Sequence, residues 1–147
     1  MPSPGQLDLR NLRFSYESAA WQLRIPALAF GREPVCGIVG PNGSGKSTLL
    51  KLAAGLLAPG AGAIELDGRP VARMRRADLA RKLGFLPQEC PALFDYAVEQ
   101  VAAMGRHAHG GALELSNAAD RDAVARALAD VGLEALRQRP LSQLSGG

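Results

Sequence analysis

A glycine-rich stretch between two apolar segments constrains this chain more than any other feature. Residues 40–47 read GPNGSGKS and match the pattern G-x-x-x-x-G-K-[ST] at every specified position. The five residues before it, 35–39 (VCGIV), are apolar throughout, which predicts a strand covered on both faces of a sheet. Residues 49–57 after it are apolar nearly all round, which predicts a buried helix. A strand, a tight loop and a helix in this order are typical of a phosphate-binding loop.

Each residue type in this loop suits the binding of a phosphate chain. Glycines allow close approach and unusual dihedral angles, so that backbone N–H groups and a helix N-terminus converge on an anion. Lys46 would place a compact charge between the β- and γ-phosphates, and Ser47 would offer a hydroxyl to Mg²⁺. A glycine-rich turn beside a solvated lysine is the alternative, but the flanking strand and helix favour nucleoside triphosphate binding. The residues expected to contact nucleotide here are Gly40, Pro41, Asn42, Gly43, Ser44, Gly45, Lys46, Ser47 and Thr48.

Composition excludes several other classes of protein. A length of 147 residues, with 47% apolar and 21% charged side chains, indicates one globular domain. The net charge of +3, with one basic cluster at residues 73–76, is too small for a nucleic-acid footprint. The uncharged runs are too short for a membrane span, and the N-terminus has no signal peptide pattern. Cys36 and Cys90 are too few for a disulfide framework or a zinc site. We therefore expect a soluble cytoplasmic protein.

The residues around the loop predict further strands. Residues 7–16 alternate with a phase slip near Asn11, as in a bulged strand, and a second alternating strand runs from Trp21 to Ile25. These two read as antiparallel and half-exposed. Residues 63–66 predict another short strand, which ends in a turn at Asp67-Gly68. Further on, 76–82 suggests a surface helix and 83–86 a second buried strand.

From about residue 91 the composition shifts towards Ala, Leu and Arg, which favours helices. Residues 98–104 and 120–131 both fit helices, and Gly132 follows where a helix C-cap belongs. In the second helix an apolar stripe is expected, formed by Val124, Ala127, Leu128 and Val131. The pair His107 and His109 is better explained by a solvated loop than by a metal or haem site. The fold class is therefore α/β, with a helical part after a mixed part.

Three segments together resemble the nucleotide-binding domain of ATP-binding-cassette (ABC) ATPases. Residues 40–68, from the loop to LDG, resemble that domain closely, and 85–88 (FLPQ) look like the segment that ends in its Q-loop glutamine. Residues 144–147 (LSGG) look like the start of the family's signature motif. The resemblance spans about 7–147 and implies a P-loop NTPase core with an antiparallel β subdomain. It divides this domain into a β and P-loop part near 1–90 and a helical subdomain near 91–147.

The resemblance also implies roles for residues outside the loop. Gln88 would contact Mg²⁺ or the attacking water, and its loop would sense a membrane partner. Tyr16 stands where the family stacks an aromatic ring on adenine, with Phe14 and Trp21 as rival positions. Ser145, Gly146 and Gly147 would contact ATP bound by another subunit, which implies a head-to-tail dimer with two nucleotides between the chains.

A finer resemblance suggests the transport system. Residues 101–107 (VAAMGRH) are similar to the helical segment of ATPases that serve iron-siderophore, haem and cobalamin importers. This implies an ATP-hydrolysing subunit on the cytoplasmic face of the inner membrane, working with a transmembrane permease and a substrate-binding protein and without direct nucleic-acid contact. A soluble ABC ATPase acting on the ribosome or DNA is the alternative. The sequence does not identify the cargo.

The resemblance places several catalytic groups beyond residue 147. The family's Walker B aspartate, catalytic glutamate and switch histidine all follow the signature motif, whereas His107 and His109 precede it. Hydrolysis needs a group that orients water and a second anchor for the metal. We therefore expect ATP hydrolysis from the intact protein, and ATP binding without hydrolysis from these 147 residues alone.

Overall fold

The computed structural model of the chain describes residues 5–17, 21–31, 33–88, 95–109 and 118–144. They belong to two compact units, of which the first comprises residues 1–75 and 82–85 and the second comprises 76–81 and 86–147. The expected subdomain boundary near residue 90 stays a prediction. In the described ranges, no helix combines the length and apolar character needed to cross a membrane.

The first unit contains a four-stranded antiparallel sheet in the order β2-β1-β3-β4. The strands are β1 (Leu7–Phe14), β2 (Leu23–Phe30), β3 (Ala61–Leu66) and β4 (Arg69–Pro70). One face of the sheet carries the apolar core, because successive side chains of a strand point to opposite faces. Its buried members on β1 and β3 are Leu7, Leu9, Leu12, Ile64 and Leu66. The three strands expected in this part of the chain form, but the second runs from Leu23 to Phe30 and not from Trp21 to Ile25.

The phase slip near Asn11 is a β-bulge, as predicted. Asn11 has a φ of 50°, and the pairing of β1 with β3 shifts register between Arg10 and Arg13. Gly62 on β3 lies opposite with a φ of 88°. A Cβ at Gly62 would stand 2.4 Å from the Asn11 carbonyl oxygen and 2.5 Å from that of Arg10. The bulge therefore brings two backbones so close that only glycine fits on β3.

A two-residue turn joins β3 to β4. Asp67 and Gly68 both have positive φ, 53° and 75°, as a type I′ hairpin turn requires. The Asp67 carboxylate accepts hydrogen bonds from the Lys82 ammonium and, at 2.7 Å, from the Gly5 N–H. These donors, Lys82 first, hold the pKa of Asp67 below its ordinary value. The resulting stabilisation is present above the ordinary aspartate range and is lost as the pH falls through the lowered pKa.

Helix α1 (Lys46–Ala53) follows the glycine-rich loop and buries one face. Its buried side chains are Thr48, Leu49, Leu52 and Ala53. The predicted fully buried helix over 49–57 is wrong in two respects. The helix begins at Lys46 and ends before Gly55, whose φ of 68° breaks it, and Leu50 and Leu56 are about half exposed. The apolar composition predicts burial on every side of the helix, but the described residues cover only one side.

Two strands expected from apolar runs do not form. Residues 35–39 form no strand pairing, and Val35 and Val39 are 85% and 96% exposed. Residues 83–86 are likewise unpaired, with Leu86 90% exposed. The physical reason is that a strand needs a neighbour for its N–H and C=O groups. Within the described ranges no strand pairs with either segment, so neither apolar run has the hydrogen-bonded neighbour that a strand needs.

The second unit is helical in its described part. Its helices are α2 (Arg76–Ala80), α3 (Val98–Met104) and α4 (Ala118–Asp130), with 3₁₀ turns at His107–His109, Glu134–Leu136 and Leu141–Gln143. Its core consists of Val98, Ala103, Val124 and Leu128, against which Ala102, Leu133, Leu141 and Leu144 pack. The three predicted helices are confirmed, the one at 98–104 with both bounds. Of the expected stripe, Ala127 on α4 and Val131 just after it are exposed, because the helix buries the row formed by Asp120, Val124 and Leu128.

Gly132 ends α4 as predicted. Its φ is 69°, and its N–H donates to Ala129 O at 3.0 Å while Leu133 N–H donates to Leu128 O at 2.8 Å. These two bonds are the Schellman pattern, and Leu133 packs on the core beneath the helix end. At the other end of α4, buried Asp120 accepts a hydrogen bond from Arg106 Nε at 2.7 Å. A carboxylate in the first turn also suits the helix dipole.

We predict that alanine substitutions at three glycines rank in their effect on the free energy of unfolding. Gly84→Ala meets open space without a positive φ and should change it by less than about 0.5 kcal/mol. Gly132→Ala also meets open space but must hold φ at 69°, a cost of about 1–2 kcal/mol. Gly62→Ala adds backbone overlap to a positive φ and should cost about 2–5 kcal/mol.

Urea denaturation of the three variants beside the wild type measures this ranking. Gly84→Ala is the control for removing a glycine from an exposed loop. Equal losses for Gly62→Ala and Gly132→Ala would contradict the close backbone approach at the bulge.

Candidate functional site

The glycine-rich loop turns twice before α1 begins. The first turn runs from Pro41 to Ser44, whose N–H donates to Pro41 O at 3.3 Å, with Gly43 at a φ of 78°. The second is at Gly45, which has a φ of 96° and caps the helix without a side chain. The Leu49 N–H then donates to Gly45 O at 2.8 Å, the first bond of the helix. Of the two positive φ values, the one at Gly45 falls on a glycine that the sequence pattern specifies, whereas Gly43 stands at an unspecified position of that pattern.

Close contacts explain why two of the glycines carry no side chain. A Cβ at Gly40 would lie 2.9 Å from Ser44 Oγ, across the mouth of the loop. A Cβ at Gly45 would lie 2.6 Å from Cζ2 and 2.9 Å from Cη2 of Trp21. Side chains at these two positions would crowd Ser44 and Trp21, so glycine at both leaves the backbone of this cradle uncrowded, as close approach to a phosphate chain requires.

The Lys46 ammonium is held at the mouth of this loop. Its Nζ donates to Gly40 O and to Pro41 O, both at 2.8 Å. An ammonium has three donors, so one N–H remains after these two bonds. Charged phosphate oxygens accept from it more strongly than neutral carbonyls do. Lys46 therefore lies where an anion entering the loop would meet it.

The two hydroxyls after Lys46 differ in their surroundings. Ser47 is exposed, so its hydroxyl is accessible to a metal ion beside the loop. Thr48 is buried, and its Oγ1 shares a hydrogen bond with Tyr16 OH at 3.2 Å. The described residues include no group of three or more His, Cys, Asp or Glu placed to hold a metal. A magnesium ion at this loop would take its protein oxygen from Ser47 and others from phosphates.

Three aromatic residues lie beside the loop and helix. Tyr16 reaches α1 through its bond to Thr48, and 43% of its surface is exposed. Phe14 packs edge-to-face against Tyr16, with ring centroids 4.9 Å apart and planes at 88°. Trp21 lies against Gly45 instead. The structure thus brings Tyr16 and Trp21 to the first turn of α1, a placement that sequence spacing could not have shown.

The other predicted site residues are not brought to the loop by described contacts. Gln88 is exposed and belongs to the second unit, and it follows residues 83–86, which do not form the expected strand. The role of Gln88 stays a prediction. Ser145, Gly146 and Gly147 lie outside the described residues, as does Cys90.

The segment that leads to residue 144 is anchored to the start of α3. Ala97 and Pro140 form an antiparallel bridge, and the Leu141 N–H donates to Tyr96 O at 2.9 Å. Ser142 Oγ donates to Asp95 Oδ1 at 2.6 Å. These bonds connect residues more than 40 positions apart, so the chain before the LSGG sequence is held by tertiary contacts. No pattern in the sequence predicted this bridge.

Comparison with known proteins places this geometry in a family. The family described as ABC transporter matches residues 23–147. The petrobactin import ATP-binding protein FpuC of Bacillus anthracis is 42% identical over 137 residues, which are 93% of this chain and 50% of that protein. The cobalamin import ATP-binding protein BtuD of Halobacterium salinarum is 39% identical over 111 residues, 76% of this chain and 27% of that protein. The chain thus spans half or less of the length of these curated relatives.

A solved structure supports the same assignment. CbiO1 of Clostridium perfringens, part of the ABC transporter complex cbiONQ, superposes with a TM-score of 0.77 at 28% identity. The superposition covers 97% of this chain and 57% of that one. The predicted α/β P-loop fold class and the resemblance to ABC ATPases are thereby confirmed. Because the family match covers most of the sequence, the chain belongs to the ABC transporter family, whose members bind nucleotide.

Proposed function

We propose that this protein binds Mg-ATP at the loop of residues 40–47 and, in its intact form, hydrolyses it to ADP and phosphate. The observation that carries the proposal is the Lys46 ammonium, held by two loop carbonyls at 2.8 Å over a cradle with positive φ at Gly43 and Gly45. Such a loop presents N–H donors and one cation to a phosphate chain. Magnesium, when bound, neutralises charge on the phosphate oxygens.

The chain's own residues divide the work of binding. Lys46 would hold phosphate oxygens, Ser47 would offer its exposed hydroxyl to the metal, and Tyr16 would stack on adenine from the side of Thr48. Gln88 would contact the metal or the attacking water. Ser145, Gly146 and Gly147 would contact the nucleotide of a second subunit in a head-to-tail dimer.

We further propose that the intact protein energises uptake of an iron complex or cobalamin. The relatives named for petrobactin and cobalamin import support this reading, since they align over 93% and 76% of this chain. The working assembly would then be a dimer of such subunits on the cytoplasmic face of a membrane, with a permease and a substrate-binding protein. The alternative, a soluble ABC ATPase acting on the ribosome or DNA, has no support among these relatives.

The first functional prediction concerns Lys46. Losing a charged hydrogen bond to phosphate costs roughly 1.5–3 kcal/mol, so Lys46→Ala should weaken Mg-ATP binding by about 10–150-fold. Lys46→Arg should also weaken it, because a planar guanidinium does not replace a compact ammonium between Gly40 O and Pro41 O. Lys51→Ala, an exposed lysine later on α1, is the matched control. Isothermal titration calorimetry measures all three, and wild-type affinity in both Lys46 variants would refute the proposal.

The second functional prediction concerns Tyr16. A stacked ring contributes roughly 0.5–1.5 kcal/mol, so Tyr16→Ala should weaken Mg-ATP and Mg-GTP binding by about 2–12-fold. Tyr16→Trp should be tolerated, and Tyr16→Phe should keep the stacking while losing the bond to Thr48 Oγ1. Because tripolyphosphate has no base, Tyr16→Ala should affect its binding less than that of ATP. Equal losses for both ligands would show that Tyr16 does not contact adenine.

The third functional prediction separates binding from hydrolysis. The 147-residue chain should bind Mg-ATP but release no phosphate above background, because the family's water-orienting groups are expected after the signature motif. A longer version that includes those groups should hydrolyse ATP with cooperative dependence on its concentration, since two nucleotides would close one dimer. A phosphate-release assay on both versions tests this. Steady turnover by the 147-residue chain, abolished by Lys46→Ala, would contradict it.

A further inference from the structure

The Trp21 ring packs against Gly45 of the phosphate loop. Its Cζ2 and Cη2 atoms stand 2.6 and 2.9 Å from the point where a Cβ at Gly45 would be. Leu23 Cδ1 is 3.3 Å from the same point. Trp21 stands two residues before Leu23, the first residue of β2, and both side chains approach the same point at Gly45. Together they form an apolar wall against the last residue of the loop.

Gly45 is the residue at which such a wall matters most. It has a φ of 96°, and it caps α1 without any side-chain hydrogen bond. A glycine has no side chain of its own to restrict its dihedral angles, so external contact must do it. An indole ring is large and has few rotatable bonds, which makes it an effective restraint.

Trp21 and Tyr16 meet α1 at different residues of the same turn. Gly45 and Thr48 are three positions apart, which places them on one side of the first helical turn. Tyr16 bonds to the Thr48 hydroxyl, whereas Trp21 touches the Gly45 backbone. A contact to the backbone of the loop acts on its N–H donors, and those donors bind phosphate whatever base is attached.

We propose that Trp21 is a positioning residue for the phosphate loop, which holds Gly45 in its left-handed conformation and thereby presets the N–H donors at the start of α1. This rests on the proposed nucleotide-binding function and deepens it. Phosphate affinity should then depend on Trp21 equally for ATP and for a ligand without a base. A loop that must be ordered on binding binds more weakly than one already ordered.

The test measures binding of Mg-ATP and Mg-tripolyphosphate by calorimetry. Trp21→Phe keeps an aromatic ring but loses the benzo ring that carries Cζ2 and Cη2, and Trp21→Leu removes the aromatic ring altogether. Both variants should bind both ligands about threefold to tenfold more weakly, with the ratio of the two affinities unchanged. Gln22→Ala, an exposed neighbour of Trp21, is the matched control and should bind as the wild type.

A second measurement needs no substitution at all. Trp21 is the one tryptophan in the sequence, so the protein's indole emission reports on this contact alone. Saturating Mg-tripolyphosphate should change that emission in the wild type, because phosphate binding acts on the loop that the ring touches. The emission change is independent of whether a Trp21 variant folds.

The outcomes distinguish failure of the positioning role of Trp21 from failure of the proposed nucleotide binding. Wild-type affinity for tripolyphosphate in the folded Trp21→Phe variant, or an emission that tripolyphosphate leaves unchanged, overturns the positioning role. A loss confined to ATP also overturns it, because Trp21 would then contact the base. If the wild type binds neither ligand, the proposed function itself fails, and the positioning role fails with it.

Discussion

The left-handed turn at Gly45 is the constraint on which the candidate site depends. With a φ of 96° it caps α1, whose first residue, Lys46, donates from its ammonium back to Gly40 O at the start of the loop. L-residues with a Cβ disfavour this conformation, and here the Cβ would also meet the Trp21 ring. The glycine is therefore required twice, once for its backbone angle and once for the space it leaves.

Side chains at or beside the ends of two strands of the antiparallel sheet contact the loop and α1. Phe14 ends β1 and packs against Tyr16, which reaches Thr48, while Leu23 begins β2 and lies with Trp21 against Gly45. Phe14 and Leu23 are paired in the antiparallel register, so both contacts lie at one end of the β1–β2 pair. The pairing of β1 with β2 thus delivers two aromatic side chains to one helical turn.

Much of the local structure was predictable because it depends on neighbours in sequence. The bulge at Asn11, the turn at Asp67-Gly68 and the C-cap at Gly132 each follow from residue types that tolerate positive φ. The strands expected at 35–39 and 83–86 do not form, because apolar composition reveals a preference for burial and not the presence of a pairing partner. The exposure of half of the predicted stripe at α4 has a similar reason. Periodicity shows which face of a helix is apolar, but it does not show how much of that face a neighbouring element covers.

The sequence by itself determined the phosphate loop and the family, because the loop's glycines, its lysine and the helix after it are set within a few residues of chain. Their geometry is local, and the pattern that carries it is specific. Only the tertiary structure decided which aromatic residue touches which part of the loop, since Tyr16 and Trp21 are both separated from α1 by more than twenty residues. The bridge between Ala97 and Pro140 likewise depends on the tertiary structure, since the two residues are far apart in sequence. Such contacts depend on how distant segments pack, and packing is a property of the folded chain as a whole.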